Sequence, residues 1–398
     1  MGVSGRWTTT AWGSAVVCLG VIVVLLVLQP YRIDLDVYRI GAQAWLDGQP
    51  LYGPLASTQA GLSLPFTYPP AAAILFAPLA VLPFWAANAL LTLSSVTALI
   101  ALLVLAVGRS KAEKASGAAA LALLAASLLA EPVQATLGFG QVNLVLAAMV
   151  ALDVLTPRSW WPRGLLIGIA TAVKLTPAVF VLALLVRRQY REAATAALSF
   201  TIVSLLAWVV TPRDSQQYWT GALWDPDRIG GAVYAGNQSI NGLLLRLGLT
   251  GPAERAAWLM GVALVVGLAW VGMTRAHRVG DVVLLLGING LVALLASPVS
   301  WTHHWVWLLP LGLALWARTD RAGWRLLAVV GASLMLLRPM WWLPREAERE
   351  LDWAPWQQVP GNAYVLFGVA VLLAAALGSP SRHKLQRGLI ARLRVAGS

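Results

Sequence analysis

The stretch YRIDLDVYRIGAQAWLDGQPLY, residues 31–52, directly follows the first hydrophobic run of the chain and carries two carboxylates, Asp34 and Asp36. Acidic side chains at the end of a membrane segment need a physical reason, because lipid solvates an ionised carboxylate poorly. Apolar residues recur at helical spacing over 33–47, which predicts a short helix along the membrane surface. This stretch therefore marks both the membrane boundary and a place for chemistry.

The composition predicts a membrane protein. The chain has 398 residues, of which 59% are hydrophobic and 12% are charged, and its mean hydropathy is +0.71. A water-soluble domain carries about 25% charged residues. So much apolar surface cannot be buried in a water-soluble core, and we expect an all-α, polytopic membrane protein. The single cysteine, Cys18, excludes an intrachain disulfide.

The net charge of +12 does not indicate a nucleic-acid partner. The basic residues form short clusters between apolar runs, which is the pattern of the positive-inside rule. That rule places Arg6 and the basic tail 382–398 in the cytoplasm, so we expect a multi-pass plasma-membrane protein with both termini cytoplasmic.

Apolar runs divide the chain into roughly ten to twelve membrane or re-entrant segments. The segments that contain prolines or a lysine, 66–83 and 164–186, are expected to be short, broken or re-entrant. No sequence repeat or soluble domain is visible, so residues 1–398 are expected to form one membrane domain. The predicted segments are 11–29, 66–83, 86–107, 117–130, 144–156, 164–186, 193–211, 256–273, 281–297, 305–317, 324–343 and 361–378.

The polar clusters fall on one side of this topology. Residues 34–52, 138–143 and 297–304 are distant in the chain, yet all are placed on the outer face. The first cluster lies in the external segment 30–65, and the external loop 212–240 is placed on the same face. The cytoplasmic connections are short and basic. The function is therefore predicted to face the extracytoplasmic side.

Asp34 and Asp36 point about 200° apart on a helix, so they are not a matched pair. One is expected to face a site, and the other to face water or a basic neighbour such as Arg32 or Arg39. A carboxylate in a membrane-edge pocket can act as a general base. The alternative is a solvated acid that stabilises the start of a helix.

Three further features have both a functional and a structural interpretation. His303 and His304 could donate hydrogen bonds to a phosphate or a sugar, or anchor the membrane interface. Gln141 and Asn143, in the segment 138–143, could contact sugar hydroxyls or belong to a plain turn. Lys174 could bind a lipid-linked phosphate or snorkel to the interface. No spacing typical of a metal site is present.

These segments, taken in order, resemble the GT-C glycosyltransferases of family 87, the actinobacterial polyprenyl-phosphate-mannose-dependent α-1,2-mannosyltransferases. The similarity runs through about three quarters of the chain. The motifs that carry it are DLDVY (34–38), GA (41–42), LYG (51–53), LPFTYPP (64–70), GQVN (140–143), GIATAVKLTP (168–177), NQS (237–239) and SPVSWTHHWVW (297–307).

The resemblance implies a GT-C fold with an extracytoplasmic active site and no cofactor or metal. It implies a polyprenyl-phosphate mannose donor and a membrane-lipid acceptor that already carries mannose, either a phosphatidylinositol mannoside or lipomannan and lipoarabinomannan. Asp34 would be the catalytic base. His303 or His304 would lie near the donor phosphate, with Lys174 as a weaker candidate. The predicted sugar- or lipid-binding residues are Asp36, Tyr38, Tyr68, Gln141, Asn143, Asn237, Gln238 and Trp301.

Three other functions remain open from the residues alone. A glycolipid transporter or flippase would suit a broken helix that carries a charge, as at Lys174. The missing repeat and the one-sided polar clusters count against it. A GT-C enzyme that uses another lipid-linked sugar, and a non-catalytic assembly partner, are the remaining alternatives. The sequence does not indicate an oligomeric state.

Overall fold

The computed structural model describes residues 20, 31–110, 117–225, 228, 230–318 and 322–378. The predicted first span 11–29 and the basic tail 382–398 lie outside the described residues, apart from Gly20. Among the described residues all regular elements are helices, and the prediction of an all-α protein is confirmed.

The first half of the chain forms nine helices in the described ranges. They are α1 (Ile33–Leu46), α2 (Pro70–Val81), α3 (Phe84–Arg109), α4 (Gly117–Leu129), α5 (Glu131–Phe139), α6 (Asn143–Leu155), α7 (Leu165–Val173), α8 (Val181–Val186) and α9 (Tyr190–Val210).

The second half adds eight helices, several of them separated by short 3₁₀ turns. They are α10 (Pro212–Thr220), α11 (Ile240–Arg246), α12 (Gly251–Arg278), α13 (Val282–Ala296), α14 (Leu308–Trp316), α15 (Ala322–Leu337), α16 (Gln358–Gly361) and α17 (Ala363–Leu377). The 3₁₀ turns include Thr176–Phe180, Thr302–Trp307, Pro339–Trp342 and Arg349–Asp352.

Three helices, α3, α9 and α12, are long and apolar enough to cross a membrane. The pair α4 and α5, bent by 63°, passes the same test as one broken span. Shorter apolar helices of 10–17 residues overlap the predicted segments 66–83, 144–156, 164–186, 281–297, 324–343 and 361–378. The predicted segment 305–317 contains the nine-residue helix α14. This pattern supports the membrane character that composition predicted.

Of the two segments expected to be short, broken or re-entrant, 66–83 forms a short helix and 164–186 is broken. Helix α2 has 12 residues, contains Pro78 and is too short to span a bilayer. Helix α7 ends at Val173, and Lys174 takes an extended conformation before the 3₁₀ turn at Thr176–Phe180. Pro177 favours this break, because it has no N–H to donate to the carbonyl of Val173 four residues earlier, and its ring would clash with that carbonyl in a continuous helix.

The predicted loop 138–143 is shorter than the sequence indicated. Helix α5 continues to Phe139, and α6 begins at Asn143. Gly140 makes the turn with a φ of +72°, and a Cβ there would lie 2.9 Å from the Leu35 Cβ. The turn therefore packs closely on the start of α1, because glycine permits both the positive φ and the close approach.

A cluster of aromatic side chains fixes α1 against α2. The Tyr38 ring stacks on Phe76 at 4.4 Å and meets Tyr68 edge-on at 5.2 Å. Gly41 allows the Phe66 ring to lie against the helix backbone, because an added Cβ would come within 2.3 Å of that ring. This small core is distinct from the larger one between α3, α6, α13, α14 and α17. It holds the predicted surface helix rigidly in place.

Arg246, which is fully buried, organises the loop before α11. Its guanidinium donates to Asn362 Oδ1 at 2.6 Å and 3.0 Å, and to the backbone carbonyls of Val233, Tyr234 and Asn237 at 2.9–3.1 Å. The buried charge is tolerated because all three nitrogens of the guanidinium donate hydrogen bonds to protein oxygens. The loop before α11 is therefore pinned to the start of α17.

The same loop pairs with the segment that precedes the histidines. Asn237 and Trp301 form an isolated antiparallel bridge, in which Gln238 N donates to Ser300 O at 2.7 Å and Thr302 N to Gly236 O at 2.9 Å. Arg246 thus fixes the loop that fixes the position of Trp301.

Replacing Arg246 by methionine is expected to destabilise the protein, because several buried oxygens lose their donor at once. Each buried polar group without a partner costs about 1–3 kcal/mol, so the loss is about 3 kcal/mol or more. The measurement is the thermal melting temperature in detergent, which should fall by several degrees. Arg255→Met, at an exposed position of α12, is the matched control and should melt like the wild type. Equal melting of both variants would contradict this role of Arg246.

Candidate active site

Elements from all parts of the chain surround one cavity of about 390 Å³. Five parts of the chain reach it: the first turn of α1, the extended segment before α2, the turn after α5, the break after α7 and the segment before the histidines. The predicted site residues that line it are Asp34, Tyr68, Gln141, Lys174, Trp301 and His304. Six of the twelve candidates, from five separate motifs, therefore lie around one space.

Asp34 is a half-buried carboxylate in the first turn of α1, which is the predicted surface helix. Burial raises the pKa of Asp34 to about 6, while a hydrogen bond from Gln141 and the charge of Lys174 act to lower it. A carboxylate with that pKa is ionised at neutral pH and accepts a proton readily. Its environment suits a general base.

The Gln141 side chain is oriented by two tyrosines. Its Oε1 accepts hydrogen bonds from the hydroxyls of Tyr38 at 2.8 Å and Tyr68 at 3.3 Å. With its oxygen used in this way, the amide presents its NH₂ group to Asp34. Tyr38 is buried and does not line the cavity, so it contributes through Gln141 and through packing.

Lys174 reaches the cavity from the break between α7 and the following 3₁₀ turn. Its Nζ donates to Asn143 Oδ1 at 3.0 Å, lies 3.2 Å from His304 Nε2 and sits 5.5 Å from the centre of the Tyr68 ring. The ion pairs within the described part of the chain do not include Lys174 with Asp34. The ammonium of Lys174 and the carboxylate of Asp34 therefore line the same cavity without forming an ion pair.

The two histidines occupy different environments. His304 lines the cavity and contacts Lys174. An ammonium group only donates, so His304 Nε2 accepts and the proton of the neutral ring sits on Nδ1. His303 is buried between the His304 ring at 4.7 Å and the Phe139 ring at 5.3 Å. The geometry thus selects His304 as the histidine that faces the site.

Asp36 points away from the cavity. It is buried, and its Oδ2 accepts from Tyr31 OH at 3.0 Å and from the backbone N of Gln59 at 2.7 Å. The sequence predicted water or a basic neighbour for the second acid, whereas Asp36 Oδ2 accepts from Tyr31 and Gln59. Arg32 donates to Thr92, and Arg39 donates to the carbonyl of Leu82. Asp36 ties the loop 47–69 to α1 and does not line the cavity.

Three amide residues predicted to bind sugars are engaged within the protein. Asn143 bridges Lys174 and the carbonyl of His303, to which it donates at 3.1 Å. Asn237 and Gln238 are fully buried. Asn237 Oδ1 accepts from Ser300 N at 2.9 Å, and Gln238 joins Ala235 O, Gly361 O and Tyr364 N. These side chains lie outside the main cavity and position the segments that form it.

Arg228 lines the cavity, although no sequence pattern distinguishes it from the other charged residues of the loop 212–240. Its Nη1 donates to Tyr52 O at 3.2 Å, and its guanidinium lies 5.8 Å from the Tyr52 ring. Its Nη2 is buried and has no partner among the described residues. Arg228 adds a second cation to the cavity, with a donor available to a ligand.

Comparison with known proteins agrees with the motifs. The sequence model of Glycosyltransferase family 87 matches residues 66–298. A "polyprenol-phosphate-mannose-dependent alpha-(1-2)-phosphatidylinositol mannoside mannosyltransferase" of Mycobacterium tuberculosis is 41% identical over 378 residues, covering 90% of this chain and 88% of the relative. A protein of the same name from Mycolicibacterium smegmatis is 39% identical, covering 89% and 85%.

Two further proteins are more distant. A "phosphatidylinositol pentamannoside mannosyltransferase" of M. tuberculosis is 34% identical over 321 residues, covering 76% of this chain and 73% of the relative. A crystal structure of ArnT from Cupriavidus metallidurans bound to undecaprenyl phosphate aligns at a TM-score of 0.45 and 17% identity, covering 93% of this chain and 78% of that chain. From the family match and the identity to the mycobacterial relatives, the chain belongs to glycosyltransferase family 87.

Proposed function

We propose that this chain is an inverting α-1,2-mannosyltransferase that moves mannose from polyprenyl-phosphate mannose to a lipid-anchored mannoside. The observation that carries the proposal is that Asp34 and Lys174 line one cavity without forming an ion pair with each other. Glycosyl transfer from a lipid phosphate needs a base at one end of the reacting bond and positive charge at the other. The names of the mycobacterial relatives support mannose as the sugar and a phosphatidylinositol mannoside as the acceptor.

In the proposed reaction Asp34 takes the proton from an acceptor hydroxyl. The hydroxyl oxygen attacks the anomeric carbon from the face opposite the phosphate. The new C–O bond forms as the bond to the phosphate oxygen breaks, and the electron pair leaves with the polyprenyl phosphate. A β-linked donor thereby gives an α-linked product in one displacement, with the proton on Asp34.

Lys174 and Arg228 are the groups best placed to stabilise the departing phosphate. Both are cations, and fixed charges in a partly desolvated site stabilise developing negative charge without reorganising. His304 and Asn143 hold the Lys174 ammonium in place. The sequence favoured a histidine over Lys174 as the residue that binds the donor phosphate. This arrangement reverses that preference, because Lys174 becomes the phosphate partner and His304 positions Lys174.

The cavity is proposed to open on the extracytoplasmic side of the plasma membrane, with both termini in the cytoplasm. Support comes from the distribution of charge, since Arg109, Arg163 and Arg187 lie in connections that the positive-inside rule assigns to the cytoplasm. The cavity-lining segments 34–52 and 297–304 belong to the other set of connections. Membership of a glycosyltransferase family argues against the transporter and assembly-partner alternatives.

Asp34→Asn is expected to lower mannosyl transfer by at least about 100-fold, because an amide cannot accept the proton and general base catalysis contributes about 10²–10⁴. The measurement is transfer from radiolabelled polyprenyl-phosphate mannose by purified protein in detergent. Asp47→Asn, an exposed acid just beyond the end of α1, is the matched control and should retain wild-type activity. Near-normal transfer by the Asp34 variant would remove Asp34 from the mechanism.

The pH profile supplies an independent test of Asp34. The base form of Asp34 is present above its pKa of about 6, so kcat/KM for the acceptor should rise with pH through that value and then level off. Lys174 lowers the pKa of Asp34 by its charge, so Lys174→Met should move the rising limb to higher pH and also raise the donor KM. A limb that stays at the same pH in that variant would show that another group titrates.

A further inference from the structure

A second polar pocket, of about 350 Å³, lies apart from the catalytic cavity. It is formed by α5 and by the chain that leaves α15, and its lining includes Glu131, Gln134, Phe139, Arg338 and Trp341. The ring of Phe139 faces this pocket and packs against His303, which lies between it and His304. The two histidines thus form part of the wall between this pocket and the catalytic cavity.

An apolar groove of about 340 Å³ adjoins this pocket along the chain. Its lining comes from α4, α14 and α15 and includes Ala130 and Met335. Ala130 precedes Glu131 in the chain, and Met335 lies three residues before Arg338, about 4.5 Å along a helix. The polar pocket therefore sits at one end of a groove that suits a hydrocarbon chain, which is the arrangement of a lipid with a polar headgroup.

Arg338 supplies the charge of this pocket. Its guanidinium donates to Gln134 Oε1 and to no other residue in the described part of the chain. Glu131 is a buried part of the wall that accepts from Tyr364 OH at 3.3 Å and interacts with Thr302 and Trp341, and the charge of Arg338 acts on it without a hydrogen bond between them. Most N–H groups of Arg338 thus remain available, and a guanidinium fork matches the oxygens of a phosphate.

A row of aromatic rings joins this pocket to the catalytic cavity. Trp341 lines the pocket, Tyr234 lies 5.8 Å from it, and Trp301, which lines the cavity, lies 6.2 Å beyond Tyr234. Gly236 makes room for this row, because a Cβ there would lie 3.0 Å from Tyr234 and 3.1 Å from Trp341. Aromatic faces bind the apolar C–H face of a sugar ring at low entropic cost.

The chemistry of the two substrates decides which lipid this pocket suits. The donor carries its phosphate on the carbon that reacts, so that phosphate must lie in the catalytic cavity beside Lys174. An acceptor phosphatidylinositol mannoside carries its phosphate on the lipid side of the inositol, separated from the reacting hydroxyl by the inositol and its mannoses. Two phosphates at different distances from the reacting bond require two sites, and the described structure has two cation-bearing pockets joined by aromatic rings.

We propose that Arg338 and Gln134 bind the phosphodiester of the acceptor lipid, with an acyl chain in the apolar groove and the mannose chain across Trp341, Tyr234 and Trp301. This assignment rests on the proposed function for the identity of the acceptor. It makes Arg338 a determinant of acceptor recognition that has no part in bond breaking.

The test compares two acceptors that differ in the phosphate. Purified full-chain wild type and Arg338→Gln are assayed with a phosphatidylinositol mannoside and with an alkyl mannoside that lacks phosphate. The variant should raise KM for the phosphatidylinositol mannoside by about tenfold or more, the scale of a lost charge-assisted hydrogen bond. KM for the alkyl mannoside and for the donor should stay unchanged. Arg338→Lys, which keeps the charge, should recover part of the loss.

Arg349→Gln is the matched control, since it removes the same charge from an exposed position of the same external region and should behave as wild type. The proposal is overturned if Arg338→Gln leaves the KM for both acceptors unchanged or shifts both equally. A raised donor KM would instead assign the pocket to the polyprenyl phosphate and would equally overturn it.

A binding measurement separates this proposal from the proposed function. Native mass spectrometry of the detergent-purified chain with phosphatidylinositol should show binding that Arg338→Gln weakens and Arg349→Gln does not. If wild type transfers no mannose yet shows this difference, the proposed function fails and the phospholipid site stands. If wild type transfers mannose and the difference is absent, the site fails alone.

Discussion

A carboxylate and an ammonium group that share a cavity without forming an ion pair are the constraint on which this structure depends. Opposite charges in a partly desolvated space attract strongly, so they stay apart only if each is held by other partners. Asp34 is held by its helix and by Gln141, and Lys174 is held by Asn143 and His304. The gap that remains between them is the space proposed for the reacting sugar.

Much of the surrounding fold maintains this separation. The Gly140 turn brings Gln141 against the start of α1, and the break before Pro177 turns Lys174 inward. Arg246 holds the loop before α11 in place. That loop forms a bridge with Trp301, and the bridge sets the position of the segment that carries His304. Residues far from this cavity thereby determine its geometry, which is how motifs scattered through the chain come to line one space.

The sequence predicted the features that follow from local rules. Composition indicated membrane helices, the apolar spacing of 33–47 indicated α1, and Pro177 indicated the break at Lys174. Motif resemblance indicated the family, which the match over residues 66–298 confirms. The position of Asp34 in the family motif favoured it over Asp36, and of these two acids only Asp34 lines the cavity.

The remaining features depend on tertiary contacts that no local pattern encodes. The adjacent residues His303 and His304 do not show by sequence which ring contacts Lys174. A polar motif such as NQS at 237–239 has the same sequence whether its side chains bind a ligand or hold a loop in place. Arg228 lies in a loop with several charges, and only the folded chain places it at the cavity. Burial and partners, which sequence spacing does not show, separate a site residue from a scaffold residue.

The most direct test of the proposed roles of Asp34 and Lys174 is a cryo-electron microscopy structure of the full chain carrying Asp34→Asn, with polyprenyl-phosphate mannose bound. A donor phosphate oxygen should lie within about 3 Å of the Lys174 ammonium, with the anomeric carbon between that phosphate and position 34. A donor whose phosphate lies in the Arg338 pocket, or whose anomeric carbon points away from position 34, would contradict these roles.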